Sequence, residues 1–253
     1  MNRVLIHESE LGPGGEVRLT GRRSLHIRKV LGATVGQTIR VGVLNGATGQ
    51  GVIREAGEEA VLLECALDAA PPPRSRVDLL LALPRPKVMK RLWAPLASLG
   101  VGRLILTNAA KVERNYFDTH WLSREYYEPL LVEGLEQSGD TWMPEVTIGR
   151  RFRPMVEDDL DGLAPRSRRL VAHPGAAGGM NGVAVGSDER LLLAIGPEGG
   201  WTDFELDLLE RHAFRRIGMG WRRLRSDTAC VALLALAHER LERGSGHDAG
   251  AAE

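Results

Sequence analysis

"LLLAIGPEGGWTDFELDLLE", residues 191–210, joins a strongly apolar run to a helical pattern through Gly196-Pro197-Glu198-Gly199-Gly200. A short apolar run without alternation predicts a strand covered on both faces, as in a parallel sheet. Thr202 or Asp203 stands where a helix N-cap belongs. In open parallel sheets ligands bind beyond the carboxyl ends of the strands, so the turn at 196–200 is a candidate site. Its chemistry narrows the ligand. A phosphate loop needs a Lys that this turn lacks, and its glycines do not fit the G-x-G-x-x-G spacing of a dinucleotide fingerprint. Glu198 beside a pyrophosphate would also be a like-charge contact. A neutral or cationic ligand suits the turn better, and S-adenosylmethionine, with its sulfonium and ammonium groups, is one. The alternative is a plain strand-to-helix turn with Glu198 in water.

Working outward, the same alternation extends over residues 77–243. "RVDLLLALP", "RLILTNA", "RRLVAHP" and "RLLLAIGP" read as buried strands, and "FRRIGMG" as a short strand or turn. Helical patterns lie between them: a stretch to Leu99-Gly100 that Pro95 should kink, "SREYYEPLLVEGLEQSG", "TDFELDLLERHA" and the final "SDTACVALLALAHERLER". This order predicts an α/β domain with a parallel sheet and helices on both faces. Two more strand ends carry suggestive turns, "AHPGAAGGMNG" at 172–182 and "GMGWRRLRSDTA" at 218–229. Residues 1–70 read instead as short strands, "EVRLTG", "QTIRVGVLNG", "GQGVIREAG" and "EAVLLECAL", with a helical turn or two in "SLHIRKVLG". Pro71-Pro72-Pro73 makes 71–76 a stiff linker, and "GSGHDAGAAE", residues 244–253, reads as a disordered tail.

Lys+Arg and Asp+Glu both number 33, so the net charge is zero. The balance is local rather than uniform: Arg18, Arg22, Arg23, Arg28, Lys29 and Arg40 fall in a stretch with no acid. That stretch is either a polyanion-binding face or a solvated strand-and-turn surface. Cys65 and Cys230, far apart and among apolar neighbours, form neither a zinc pattern nor a disulfide framework and read as reduced thiols. The N-terminus lacks the apolar core of a signal peptide and no run suits a membrane span, so a cytoplasmic location is expected.

"AIGPEGGWTDFE" followed by "GMGWRRLRSDTACVALLAL" resembles the paired signature of the RsmE family, SPOUT-class methyltransferases acting on N3 of a uridine in 16S ribosomal RNA. "LHIRKVLGATVGQTIRVGVLNG" resembles that family's PUA-like RNA-binding barrel, and "EQSG" with "MPEV" resembles a further family segment. The resemblance implies an N-terminal PUA-like β-barrel, a C-terminal domain closed by a trefoil knot, a homodimer, and S-adenosylmethionine as cofactor. By matching position it implies a cofactor pocket from His173, Ile195, Gly196, Gly199, Met219, Gly220, Leu224 and Arg225. Arg22, Arg23, Arg28 and Lys29 would face ribosomal RNA.

Methylation of a uracil nitrogen requires loss of its proton and stabilisation of the developing charge. Arg225 and Glu198 are the candidate catalytic groups; Asp227, near the start of the last helix, also suits a cap or first-turn role. Several positions depart from the family pattern: Asp227 for Glu, "APLASLG" for a more polar segment, Asp140 for Arg and Gly32 for Arg. These departures motivate an alternative, an RNA-binding or ribosome-assembly protein that has lost catalysis. A nucleotide-dependent oxidoreductase is the third reading, disfavoured by the missing fingerprint.

Overall fold

The computed structural model describes residues 3–247. The chain divides into two compact units, Met1–Arg74 with Val132–Met143, and Ser75–Leu131 with Pro144–Glu253. Among the described residues no helix is long and apolar enough to cross a membrane.

The first unit carries β1 (Val4–Ile6), β2 (Glu16–Thr20), β3 (Thr38–Val43), β4 (Thr48–Ala56) and β5 (Ala60–Ala69), in the order β1-β3-β4-β5-β2. β1 runs parallel to β3 and the other neighbours are antiparallel. In β2 the alternation is literal: Val17 and Leu19 are buried while Glu16, Arg18 and Thr20 face out. Those two residues join Val4, Ile6, Val41, Ile53, Val61 and Leu63 in one core, closed by Ile27. Ile27 comes from α1 (Gly21–Leu25) and the π-helical turn that continues it, His26–Val30. The hydrogen-bonded order has β1 and β2 at its ends, a β-rich module as the sequence pattern predicted.

Residues 132–143 complete this unit, a return that the sequence did not signal. The Glu136 carbonyl accepts from Arg3 N at 3.1 Å, and Asn45 N donates to Thr141 O at 2.7 Å. The Thr141 hydroxyl donates to Gly46 O at 3.0 Å, and the Trp142 indole donates to Pro72 O at 2.6 Å.

The second unit is a six-stranded, wholly parallel sheet in the order β11-β9-β10-β6-β7-β8. Its elements, in sequence order, are β6 (Val77–Ala82), α2 (Pro86–Ser98), β7 (Arg103–Thr107), α3 (Arg124–Ser138), β8 (Glu145–Gly149), α4 (Phe152–Pro154), α5 (Leu160–Leu163), β9 (Ser167–Ala172), β10 (Arg190–Ile195), α6 (Asp203–Arg211), β11 (Arg215–Ile217) and α7 (Ser226–His247). The residues of α3 from Val132 on belong to the first unit. β6 and β10 are central and read as predicted: every residue of β6 is buried, as are Leu191–Ile195. β6 includes one charge, Asp78, which is paired. Arg190 of β10 contacts its two oxygens at 2.5 and 2.7 Å, and Arg103 of β7 lies at 3.4 Å. All three stand at the amino ends of their strands, so this ionic stitch closes the edge of the sheet opposite the strand-end turns.

Three local readings change. Pro95 does not break α2: it sits in the last turn, where a missing N–H costs one bond, and Leu99 N donates to Pro95 O at 2.9 Å to finish the helix. The final helix runs on to His247, past the start of the expected tail, whose remaining residues 248–253 lie outside those described. β1, β8 and the helical stretch from Phe152 were not foreseen, since each is too short or too polar to show a period.

Candidate functional site

β11, β9 and β10 are neighbours and parallel, so their carboxyl ends emerge side by side. The turns that follow are tied together by hydrogen bonds. His173 N donates to Ile217 O at 2.9 Å, and Gly218 N donates to Gly178 O at 2.8 Å, fastening the turn after β9 to that after β11. Ser226 Oγ donates to Gly196 O at 3.3 Å, fastening the far end of the same segment to the turn after β10. The spacing around Gly218 is tight: a Cβ there would stand 2.9 Å from Ala176 O. The three turns singled out from sequence are therefore one structure.

The turn at 196–200 is braced from a fourth segment, the loop after β7. Lys111 Nζ donates to Gly199 O at 2.8 Å, and a Cβ on Gly199 would come within 2.8 Å of the Lys111 side chain. The buried Glu205 carboxylate completes the brace. One oxygen accepts from Ala110 N at 2.6 Å, and the other accepts from Thr202 N at 2.7 Å and from its hydroxyl at 2.8 Å. Thr202, one of the two N-cap candidates, caps α6 in return, and the capping box it forms with Glu205 also anchors the β7 loop. The Thr-x-x-Glu pattern was legible in sequence, whereas nothing there indicated Lys111.

The predicted cofactor residues fall into two sets. His173 follows β9, Ile195 ends β10, and Gly196 and Gly199 lie in the turn after it, with Ile195 buried and His173 Nδ1 accepting from Gly175 N at 3.2 Å. Met219, Gly220, Leu224 and Arg225 lie on the turn after β11, where Met219 and Leu224 are exposed despite being apolar. Trp201 packs at Gly196 with its indole N–H buried and unpartnered.

Glu198 is exposed, and one of its oxygens accepts from Arg85 N, just before α2, at 3.3 Å. The Arg225 side chain is 71% exposed and lies 3.8 Å from Asp227, which also faces Arg91 of α2 at 3.6 Å. Asp227 accepts from Thr228 N at 2.9 Å and stands in the first turn of α7, the first-turn role expected of it, its charge toward the positive end of the helix dipole.

The four RNA-facing candidates, all in the first unit, differ sharply. Arg23 is committed internally: its guanidinium binds both oxygens of Glu10 at 2.5 and 2.9 Å and the Leu5 carbonyl at 3.0 Å. It braces its own unit, because a half-buried guanidinium needs its donors satisfied. Arg22 pairs at 2.8 Å with the buried Glu136 yet leaves much of its side chain exposed. Arg28 is half-buried, with an unpartnered Nε, and Lys29 is exposed.

A parallel sheet with glycine-bearing turns gathered beyond its strand ends defines an α/β enzyme domain with a ligand site at that edge. The description "RNA methyltransferase domain" belongs to the family model that matches residues 71–238. The chain is 29% identical to a ribosomal RNA small subunit methyltransferase E of Treponema pallidum, across 94% of this chain and 92% of that one. The chain belongs to this RNA methyltransferase family, among its RsmE members. The same fold occurs in a ribosomal RNA small subunit methyltransferase E from Neisseria gonorrhoeae bound to S-adenosyl methionine, with TM-score 0.74, 19% identity and coverage of 93% of this chain and 95% of that one. It occurs again in a putative methyltransferase from Legionella pneumophila in complex with the same cofactor, with TM-score 0.72, 20% identity and coverage of 94% and 97%.

Proposed function

We propose that this protein uses S-adenosylmethionine to methylate ribosomal RNA, at N3 of a uridine in the small-subunit RNA. The observation that carries the reading is the hydrogen-bonded junction of three strand-end turns, closely spaced at Gly218 and braced at Gly199. The residues present fit this cofactor. Backbone approaches where side chains would not fit, the buried indole N–H of Trp201 is unpartnered beside Gly196, and Met219 and Leu224 offer exposed apolar surface to a flat heterocycle. No phosphate-binding lysine pattern is needed for such a ligand. When bound, the cofactor supplies an electrophilic methyl on a sulfonium.

The chain's own groups do the rest. The braced turns would hold the cofactor, and fixing its methyl relative to the ring nitrogen would lower the entropic part of the barrier to a bimolecular transfer. Arg225, exposed at the site, stabilises the negative charge that develops on uracil as N3 loses its proton. Glu198, held in place by Arg85 N, is the carboxylate available to take that proton.

The first unit serves as a PUA-like RNA-binding barrel, with Arg22, Arg28 and Lys29 on phosphate. The second is the SPOUT methyltransferase domain, with the trefoil knot formed by its C-terminal segment. A homodimer is supported by exposed apolar side chains on consecutive segments, Trp221, Leu224 and Val231. The site of action is the cytoplasm, where ribosomal RNA resides.

Two departures that motivated a lapsed enzyme have local explanations. Asp140 accepts from Thr141 N at 2.6 Å and from Trp142 N at 3.0 Å, shaping the turn that leaves α3. Gly32 has φ of 60°, a conformation that disfavours Arg there. The test is incubation of small-subunit ribosomal RNA with the protein and methyl-labelled cofactor, followed by nucleoside analysis. Label in 3-methyluridine supports the reading; cofactor binding without transfer favours the lapsed enzyme.

A further inference from the structure

The solvent face of α2 contradicts what helix stability alone would select. Its first two turns carry Lys87, Lys90 and Arg91, with Arg85 just before them, and no acid anywhere along the helix. Cations near a helix N-terminus oppose the macrodipole, and like charges at i,i+3 and i,i+4 repel. The four side chains are exposed, while Val88, Met89, Leu92 and Trp93 bury the opposite face. The pattern is wider than one helix: residues 79–112 contain no Asp or Glu, and neither do residues 211–226.

Hydrogen bonds and ion pairs locate this face beside the candidate site. Arg85 N donates to Glu198 at one end, and Arg91 shares Asp227 with Arg225 at the other. The turn carrying Arg225 adds Arg222 and Arg223, both exposed. Neither they nor Lys87 has an ion-pair partner among the described residues. Lys90 lies 5.6 Å over the Trp121 ring, which fixes its stem and leaves its charge outward.

We propose that this face, Lys87 and Lys90 on α2 together with Arg222 and Arg223, is a second polyanion-docking surface, carried by the methyltransferase unit itself. Its occupant is the phosphate backbone of the RNA strand that holds the target nucleotide. The proposal rests on the functional reading above. It assigns gripping of the local strand to the second unit, independently of the basic residues of the first. Exposed cations spaced along one edge suit a flexible anionic chain better than a compact anion, which would need convergent donors.

The test compares the wild type with two full-length double variants, Lys87→Gln/Lys90→Gln and Arg222→Gln/Arg223→Gln. Fluorescence anisotropy with a labelled twenty-nucleotide single-stranded RNA is read across a salt series, with calorimetric binding of S-adenosylhomocysteine as the control. Each phosphate that a variant no longer neutralises lowers the salt slope by about 0.7 for a single strand. The expected result is a several-fold weaker RNA affinity and a slope reduced by about 1 to 1.4 in each variant, with S-adenosylhomocysteine affinity unchanged. RNA affinity and slope equal to wild type would overturn the docking surface alone. Wild-type protein that binds S-adenosylhomocysteine but no RNA would overturn the functional reading and the surface with it. A Lys87→Arg/Lys90→Arg variant that restores the slope confirms that charge, rather than folding, is being read.

Discussion

Lys111 reaches across from the loop after β7 to donate to the Gly199 carbonyl at 2.8 Å, so the glycine-rich turn is held by a residue 88 positions away. Lys111→Met removes one charge-assisted hydrogen bond of about 1.5–3 kcal/mol in a partly screened setting. The expected outcome is cofactor affinity lowered about tenfold in calorimetric titration with S-adenosylhomocysteine. Gly199→Trp places a ring where Lys111 already sits and should abolish binding.

Asp78 is fully buried, and Arg190 and Arg103 are its partners. Asp78→Asn leaves Arg190 without its counter-charge, while Arg103 keeps Glu145 at 3.0 Å; the loss is about 3 kcal/mol, the low end for a broken buried pair. Urea unfolding should show this as a lower midpoint. Because the triad lies at the sheet edge opposite the site, S-adenosylhomocysteine affinity of the folded variant should stay at the wild-type value.

Arg23 holds the Glu10 carboxyl below its ordinary range, chiefly through their hydrogen bond. A carboxylate whose folded pKa is depressed stabilises the fold above its unfolded pKa, and that contribution fades as pH falls through the folded value. The melting temperature should therefore decline as pH drops below about 4.5. Glu10→Gln should be less stable than wild type at neutral pH, with the difference shrinking toward acid.

Burial pushes the thiol of Cys65 up to about 11 and that of Cys230 up to about 12. Both remain protonated at neutral pH, and the thiolate is the reactive form. Native protein should be alkylated by iodoacetamide far more slowly than urea-unfolded protein, read by intact mass.

Much of the second unit was legible because its signals are local. β6 and β10 are unbroken apolar runs, Thr202 and Glu205 stand at capping-box spacing, and glycines mark the three turns. What was hidden depends on partners distant in sequence. Lys111 looks like any exposed lysine until the sheet order brings β7 within reach of the turn after β10. Arg23 read as a phosphate ligand because its sequence neighbours are basic, yet Glu10, upstream, takes its donors. Pro95 misled for another reason: a proline's cost depends on which turn of the helix it occupies, and with the helix end read correctly at Leu99-Gly100, Pro95 falls in the last turn, where it costs little.

The return of residues 132–143 to the first unit bears on how the chain is made. Glu136 and Thr141 supply hydrogen bonds to Arg3, Leu5, Asn45 and Gly46, so residues 1–74 leave the ribosome with those groups still unmet. The amino-terminal module draws its apolar core from residues 4–67, yet its hydrogen bonding is complete only once the chain has been extended through Met143. A gene fragment cut at the triple proline would therefore encode that core without the contacts of Glu136, Thr141 and Trp142 that finish the unit.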